Sequence, residues 1–98
     1  MALNINWTPK AKETFLVIIS FLESNWSEKE VSKFVSATDR IIGLISLFPN
    51  LFSQSGKKKN VHRAVISKQT SLFYRVKKGE IELITFWDNR RNPKSLKI

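Results

Sequence analysis

Apolar positions change their spacing along the chain, and each change marks an element. Leu3, Ile5 and Trp7 alternate with polar residues, which predicts a short strand from Leu3 to Trp7 with those three on one side. From Pro9 the period becomes helical, with Ala11, Phe15, Ile18, Ile19 and Leu22 forming one stripe as far as about Glu23. Leu16, Val17 and Phe21 widen that stripe, so much of this helix is expected to be covered. Thr8 is its N-cap, and Pro9 takes the first helical position, where a fixed φ helps and a missing N–H costs nothing. Ser27 and Glu30 have the spacing of a capping box that opens a second helix. Its stripe is Val31, Phe34, Val35, Thr38, Ile41, Ile42 and Ile45, and Pro49 stops it at about Phe48. Gly43 inside this helix costs about 1 kcal/mol relative to alanine, and a close helix contact is the expected reason for it. The short link Ser24 to Trp26 makes the two helices an antiparallel hairpin.

After a polar loop from Asn50 to Asn60 the period falls to two. Val61 to Ser67, Ser71 to Lys77 and Glu80 to Asp88 read as three strands joined by short turns, a meander. The Lys78-Gly79 turn fixes the register of the second hairpin: Lys77 faces Glu80, Val76 faces Ile81, Arg75 faces Glu82, Tyr74 faces Leu83, and further pairs follow by counting outward. One face near the turn is then apolar, and the other carries the opposite-charge pairs Lys77–Glu80 and Arg75–Glu82. The order strand, helix, helix, strand, strand, strand gives an α+β layer, with the hairpin on one face of an antiparallel sheet. The first strand is expected at a sheet edge or beside the last strand.

Length and composition then bound the fold. The 98 residues make one domain: a helical hairpin over about 9–48, the meander over about 61–88 and a basic tail over 89–98. There is no cysteine, which removes disulfide and thiolate chemistry, and one histidine, His62, so neither a metal nor another cofactor is expected. The longest apolar run, Phe15 to Ile19, is far short of the roughly 20 residues a membrane span needs, so a cytoplasmic protein with no membrane partner is expected. The charge is segregated. Residues 1–48 carry five basic and five acidic side chains, residues 49–98 twelve and three, so the whole +9 lies in the strand-bearing half. Such a field attracts nucleic acid or an acidic partner.

Taken together, several stretches carry a resemblance. The strand before Trp7-Thr8-Pro9-Lys10-Ala11, the hairpin closed by Phe48-Pro49, Leu72-Phe73-Tyr74-Arg75-Val76, and Ile84-Thr85-Phe86-Trp87-Asp88-Asn89-Arg90-Arg91-Asn92-Pro93 resemble the RelE/ParE superfamily, over about residues 3–96. These are toxins of type II toxin–antitoxin systems, also described as plasmid-stabilisation proteins. The resemblance implies a toxin neutralised by a cognate antitoxin, through an acidic or amphipathic segment, as a homodimer or as a heterotetramer with the antitoxin. It implies one of two activities: poisoning of DNA gyrase by ParE-like members, or ribosome-dependent mRNA cleavage by RelE-like members. A degenerate antitoxin-binding module is a third reading.

The residues favour the ParE-like branch, which needs no catalytic constellation. RelE-like nucleases place an arginine three residues before the tyrosine of the middle strand, where this chain has Ser71, and tend to keep a tyrosine or histidine in the C-terminal segment, which has neither after Asp88. A nuclease would have to use Arg63, Arg90 and His62, although His62 beside Arg63 on a strand is expected at the surface and Tyr74 in the core. Target binding is expected from Lys57, Lys58, Lys59, Arg63, Arg90 and Arg91. Phe21, Trp26 and Arg75 are the antitoxin-binding candidates. Charge reversal at Lys57, Lys58 and Lys59 is expected to weaken target or antitoxin binding in a salt-dependent way; affinity measured across a salt series checks this, and a salt-independent effect contradicts an electrostatic role.

Overall fold

The computed structural model describes residues 2–56, 58–96 and 98. Strand β1 (Asn4–Trp7) leads into helices α1 (Pro9–Asn25) and α2 (Glu28–Leu47), followed by β2 (Val61–Val65), β3 (Thr70–Lys77), β4 (Glu80–Asp88) and a 3-10 turn at Pro93–Ser95. The caps form where the sequence places them. Thr8 Oγ1 accepts from the Ala11 amide at 3.1 Å, and Ser27 Oγ accepts from the Glu30 amide at 3.4 Å. Only that half of the capping box is made, because the Glu30 carboxylate turns to Lys33, 3.7 Å away.

Sheet order is β1-β4-β3-β2. The meander is antiparallel, but β1 pairs with β4 in parallel, so the sheet is mixed rather than antiparallel. Both expected places for β1 are one place, since it is an edge strand beside the last strand. Lys77↔Glu80, Val76↔Ile81, Arg75↔Glu82 and Tyr74↔Leu83 pair as counting from the turn requires, with Gly79 at φ 72°, a left-handed conformation glycine adopts without strain. The charged pairs settle differently: Glu82 accepts from Arg75 at 3.0 Å and from Lys77 at 3.2 Å, so Lys77 reaches diagonally instead of facing its register partner Glu80.

Counting fails one residue later. Phe73 pairs with Thr85, leaving Ile84 as an extra residue in β4. This bulge changes which residues face the helices: Ile81 and Leu83 before it, Phe86 after it. The backbone groups it frees are taken up by α1 and its cap. Thr8 Oγ1 donates to the carbonyls of Leu83 at 2.7 Å and Ile84 at 3.1 Å, and Thr14 Oγ1 accepts from the Phe86 amide at 2.9 Å.

The main core lies between the helices and one sheet face, with Ala11, Phe34, Ile41, Ile45, Leu72, Tyr74, Ile81, Leu83 and Phe86 buried. At its centre Phe86 packs against Phe15, Trp7 and Phe34, with ring centroids 5.2, 5.7 and 6.3 Å away. Only one side of α1 reaches this core. Leu16, Val17 and Phe21 are 60%, 62% and 46% exposed, because a helix lying on a flat sheet buries a single stripe and α2 does not wrap round to its outer flank. Nor does Gly43 permit a close contact, since a Cβ there would meet nothing within 4 Å. The opposite sheet face has a smaller cluster, Val61, Phe73, Trp87 and Leu96, the last brought back by the C-terminal tail.

The outer edge of β2 is not open. Gln54 bridges to His62, the Ser55 amide donates to the Val61 carbonyl at 2.8 Å, and the Arg63 amide donates to the Ser53 carbonyl at 3.1 Å. Among the described residues no helix is long and apolar enough to cross a membrane. Thr14→Val is expected to lower unfolding free energy by about 1 to 3 kcal/mol by stranding the Phe86 amide; urea denaturation, with Thr14→Ser retaining most of the stability, checks it.

Candidate functional site

The bulge directs Trp87 to the helix-free face, opposite Ser71 in register, and β4 then ends at Asp88. Arg63 lies on that same face in β2, opposite Phe73. Its side chain crosses to β3, where Nε donates to Ser71 Oγ at 2.9 Å, and on to Asn89, where Nη2 donates to Oδ1 at 3.2 Å. Ser71 Oγ donates to the same Asn89 oxygen at 2.8 Å. Asn89 is held in place by its own amide, which donates to the Gln69 carbonyl at 2.8 Å. Beside this network the Arg91 guanidinium lies 4.4 Å over the Trp87 ring, a cation–π contact.

Arg90 points elsewhere. It forms a bidentate pair with Asp88, Nε to Oδ1 at 3.0 Å and Nη2 to Oδ2 at 2.8 Å, and Asp88 Oδ1 also accepts from the Arg90 amide at 2.9 Å. The guanidinium holds the Asp88 carboxyl below its ordinary range, against a smaller opposing push from burial. Asp88 and Arg90 line a groove of about 420 Å³ on the helix side, with Ile18, Leu22, Phe34 and Trp26 as its apolar wall and Lys33 and Lys68 among its lining. Trp26 is 64% exposed on this groove.

The cations expected to bind the target are therefore divided. Arg63 and Arg91 share the helix-free face, while Arg90 is tied to Asp88 at the groove. Lys58 and Lys59 precede Val61, whose register partner is Arg75, so they lie at the opposite end of the β2–β3 ladder from the Ser71–Asn89 corner. Lys57 lies outside the described residues. Arg75 is half-buried and ion-paired to Glu82.

His62 is not at the surface. It is 5% exposed and stacked on Tyr74 with centroids 5.1 Å apart, and Nδ1 lies 2.7 Å from the Phe52 carbonyl, because the loop after α2 folds over the β2 edge and covers it. Tyr74 is in the core as expected, donating to the Pro49 carbonyl at 2.8 Å, and burial pushes its phenol up to about 12. Neither ring reaches the Arg63 network, which stands on the other side of the sheet. Asn89 and Trp87 escaped the sequence as organisers of that face, since their facing depends on the bulge.

No protein-family model matches the chain, and no curated protein matches it. Solved structures do. The ParDE TA system from P. aeruginosa has 17% identity and a TM-score of 0.75, covering 89% of this chain and 96% of that chain. The fold is the one that this toxin–antitoxin structure has. The YafQ complex with DinJ from E. coli (7% identity, TM-score 0.63, 92% of this chain and 96% of that one) and the YoeB dimer from Staphylococcus aureus (19%, 0.61, 87% and 94%) share it. Ser71 stands at the middle-strand position where the sequence comparison with RelE-like nucleases expects arginine. Here that position is a hydrogen-bond partner for an arginine arriving from β2.

The lowered Asp88 value sets a pH dependence. A carboxylate whose folded pKa is depressed contributes stability in full above the unfolded value of about 4 and loses it as pH falls through the folded value. The gap in Tm between the native chain and Asp88→Asn is therefore expected to be constant from neutrality to about pH 5 and to close below about pH 4; thermal melts across that range check it.

Proposed function

We propose that this chain is the toxin of a type II toxin–antitoxin system, that it arrests growth in the cytoplasm by poisoning DNA gyrase, and that a cognate antitoxin neutralises it. The fold shared with the ParDE, DinJ-YafQ and YoeB structures supports the toxin–antitoxin assignment. The observation that carries the choice of target is that, among the described residues, the contacts of Arg63 and Arg91 hold no proton-transfer group, and the one carboxylate beside Arg90 is engaged in a bidentate pair. Cleavage of RNA by its own 2′-hydroxyl requires a base and an acid beside the cations that stabilise the phosphorane. Among the described residues Arg63 hydrogen-bonds a serine and an asparagine, His62 and Tyr74 are buried on the opposite side, and Asp88 is held by Arg90. A surface that binds without bond-making chemistry fits these contacts, which favours a gyrase poison over a ribosome-dependent mRNA endonuclease.

The antitoxin is proposed to lay an amphipathic, acidic segment along the groove beside Trp26, whose lining joins an apolar wall to Lys33 and Lys68. Phe21, exposed on α1, extends the apolar contact, and Arg75 serves as a peripheral one. Trp26→Ala and Phe21→Ala are then expected to weaken the antitoxin complex while leaving the fold intact.

On induction, the expected result is DNA cleaved and trapped on gyrase, filamentous cells and a DNA-damage response, read in a gyrase-trapping assay. Cuts in the mRNA of stalled ribosomes, abolished by Arg63→Ala or Arg90→Ala, would establish the endonuclease instead. Unimpeded growth on induction would leave an antitoxin-binding module without toxicity.

A further inference from the structure

Helix α1 carries more apolar surface than the fold covers. Residues 15–22 read Phe-Leu-Val-Ile-Ile-Ser-Phe-Leu, so every position but Ser20 is apolar. Such a run goes round the whole circumference, and a helix that is apolar all round belongs in an interior. Here one side meets the core through Ala11, Phe15, Ile18, Ile19 and Leu22, while Leu16 and Val17 stay out of it and are among the most exposed large apolar side chains of the chain. Neither lines the groove beside Trp26. One turn on stands Ser20, also exposed, whose small side chain lets a second helix come close.

The charges of the same helix indicate what covers this face. Lys10 and Lys12 stand in its first turn and Glu23 in its last, with no acidic residue at the start and no basic residue at the end. Each sign is the unfavourable one for its end of the helix dipole. Among the described residues neither Lys12 nor Glu23 is in an ion pair. The spacing of Lys12, Leu16 and Glu23 puts the three along one flank of the helix. Lys12 and Glu23 are about 16 Å apart along the axis, too far to meet within one chain. A second α1 laid end for end brings Lys12 of each copy beside Glu23 of the other and opposes the two dipoles. The face is thus complementary to itself. A chain of net charge +9 repels its own copies over most of its surface, but residues 1–48 carry five basic and five acidic side chains, so this half can meet a copy without that cost.

We propose that two copies of this chain pair through α1, antiparallel about a twofold axis near Ser20, with Leu16 and Val17 in the contact and Lys12 of each copy against Glu23 of the other. A single helix pair is a contact at the small end of specific interfaces, roughly 1,200 Å² in total, and a micromolar dissociation constant is expected. The pairing does not rest on gyrase being the target or on an antitoxin occupying the groove.

Sedimentation equilibrium of the full chain from micromolar to millimolar concentration tests the pairing, the expected result being a mass that rises from one chain toward two. Leu16→Glu and Val17→Glu, at exposed positions, are each expected to weaken association at least tenfold. Leu47→Glu, which places the same charge at an exposed leucine on α2, is expected to change it less than twofold. Lys12→Glu and Glu23→Lys are each expected to weaken it threefold or more, and the double variant to return it to within twofold of the native chain. That restoration is decisive, because the two side chains cannot reach each other inside one copy. Lys12→Glu is also expected to raise the Tm of the dilute, unpaired chain, since it places a favourable sign at the start of α1, and this separates lost pairing from lost folding. A one-chain mass at every concentration would overturn the proposal, as would single reversals that the double variant does not rescue. An equal loss in Leu47→Glu would replace it by unspecific association, and pairing that survives Leu16→Glu would move the contact to another surface, such as the edge of β1.

Discussion

The arrangement depends on how α1 grips the bulge in β4. A strand that acquires an extra residue leaves backbone groups without ladder partners, a state that is costly in a protein interior. Thr8 and Thr14 remove that cost from the side, one hydroxyl donating to the carbonyls of Leu83 and Ile84 and the other accepting from the Phe86 amide. The same three bonds fasten the helix to the sheet. They also allow Phe86 to enter the aromatic cluster under the hairpin while Trp87 faces the other way, so core packing and the composition of the exposed face follow from one irregularity.

Charge follows a second constraint, the identity of what holds each cation. A formal charge of +9 suggests a broad electropositive surface, but guanidinium groups fixed by carboxylates project little field. Asp88 and Glu82 quench their neighbours, whereas Ser71, Asn89 and Trp87 orient theirs without quenching. Neutral second partners are what turn a basic half-chain into a localised feature.

Much of the fold was legible in the sequence because it is written locally. Thr8-Pro9 and Ser27 fix the helix starts, Lys78-Gly79 fixes a hairpin register, and Pro49 ends α2, each through contacts between near neighbours. What the sequence hid is nonlocal. The bulge at Ile84 exists because residues some seventy positions earlier supply its hydrogen bonds. His62 is buried by a loop whose polar composition gives no sign of folding back, and the parallel direction of β1 depends on how the hairpin returns across the sheet. Of the candidate site, the arginines were visible as residue types, but their separation into paired and unpaired groups depends on Asn89 and Asp88 lying on opposite sides of one strand end.

The short stretch from Ser53 to Ser55 that runs along β2 closes one flank of the sheet and leaves the flank of β1. Among the described residues, β1 is then the terminal strand of the sheet on which no further segment is paired, and a foreign strand would add there. Two copies meeting there would consume both available flanks and join their sheets across a twofold axis, with no free side for a third. Self-assembly through main-chain bonds at β1 would thus terminate at a closed pair, with the stretch from Ser53 to Ser55 standing over the other flank.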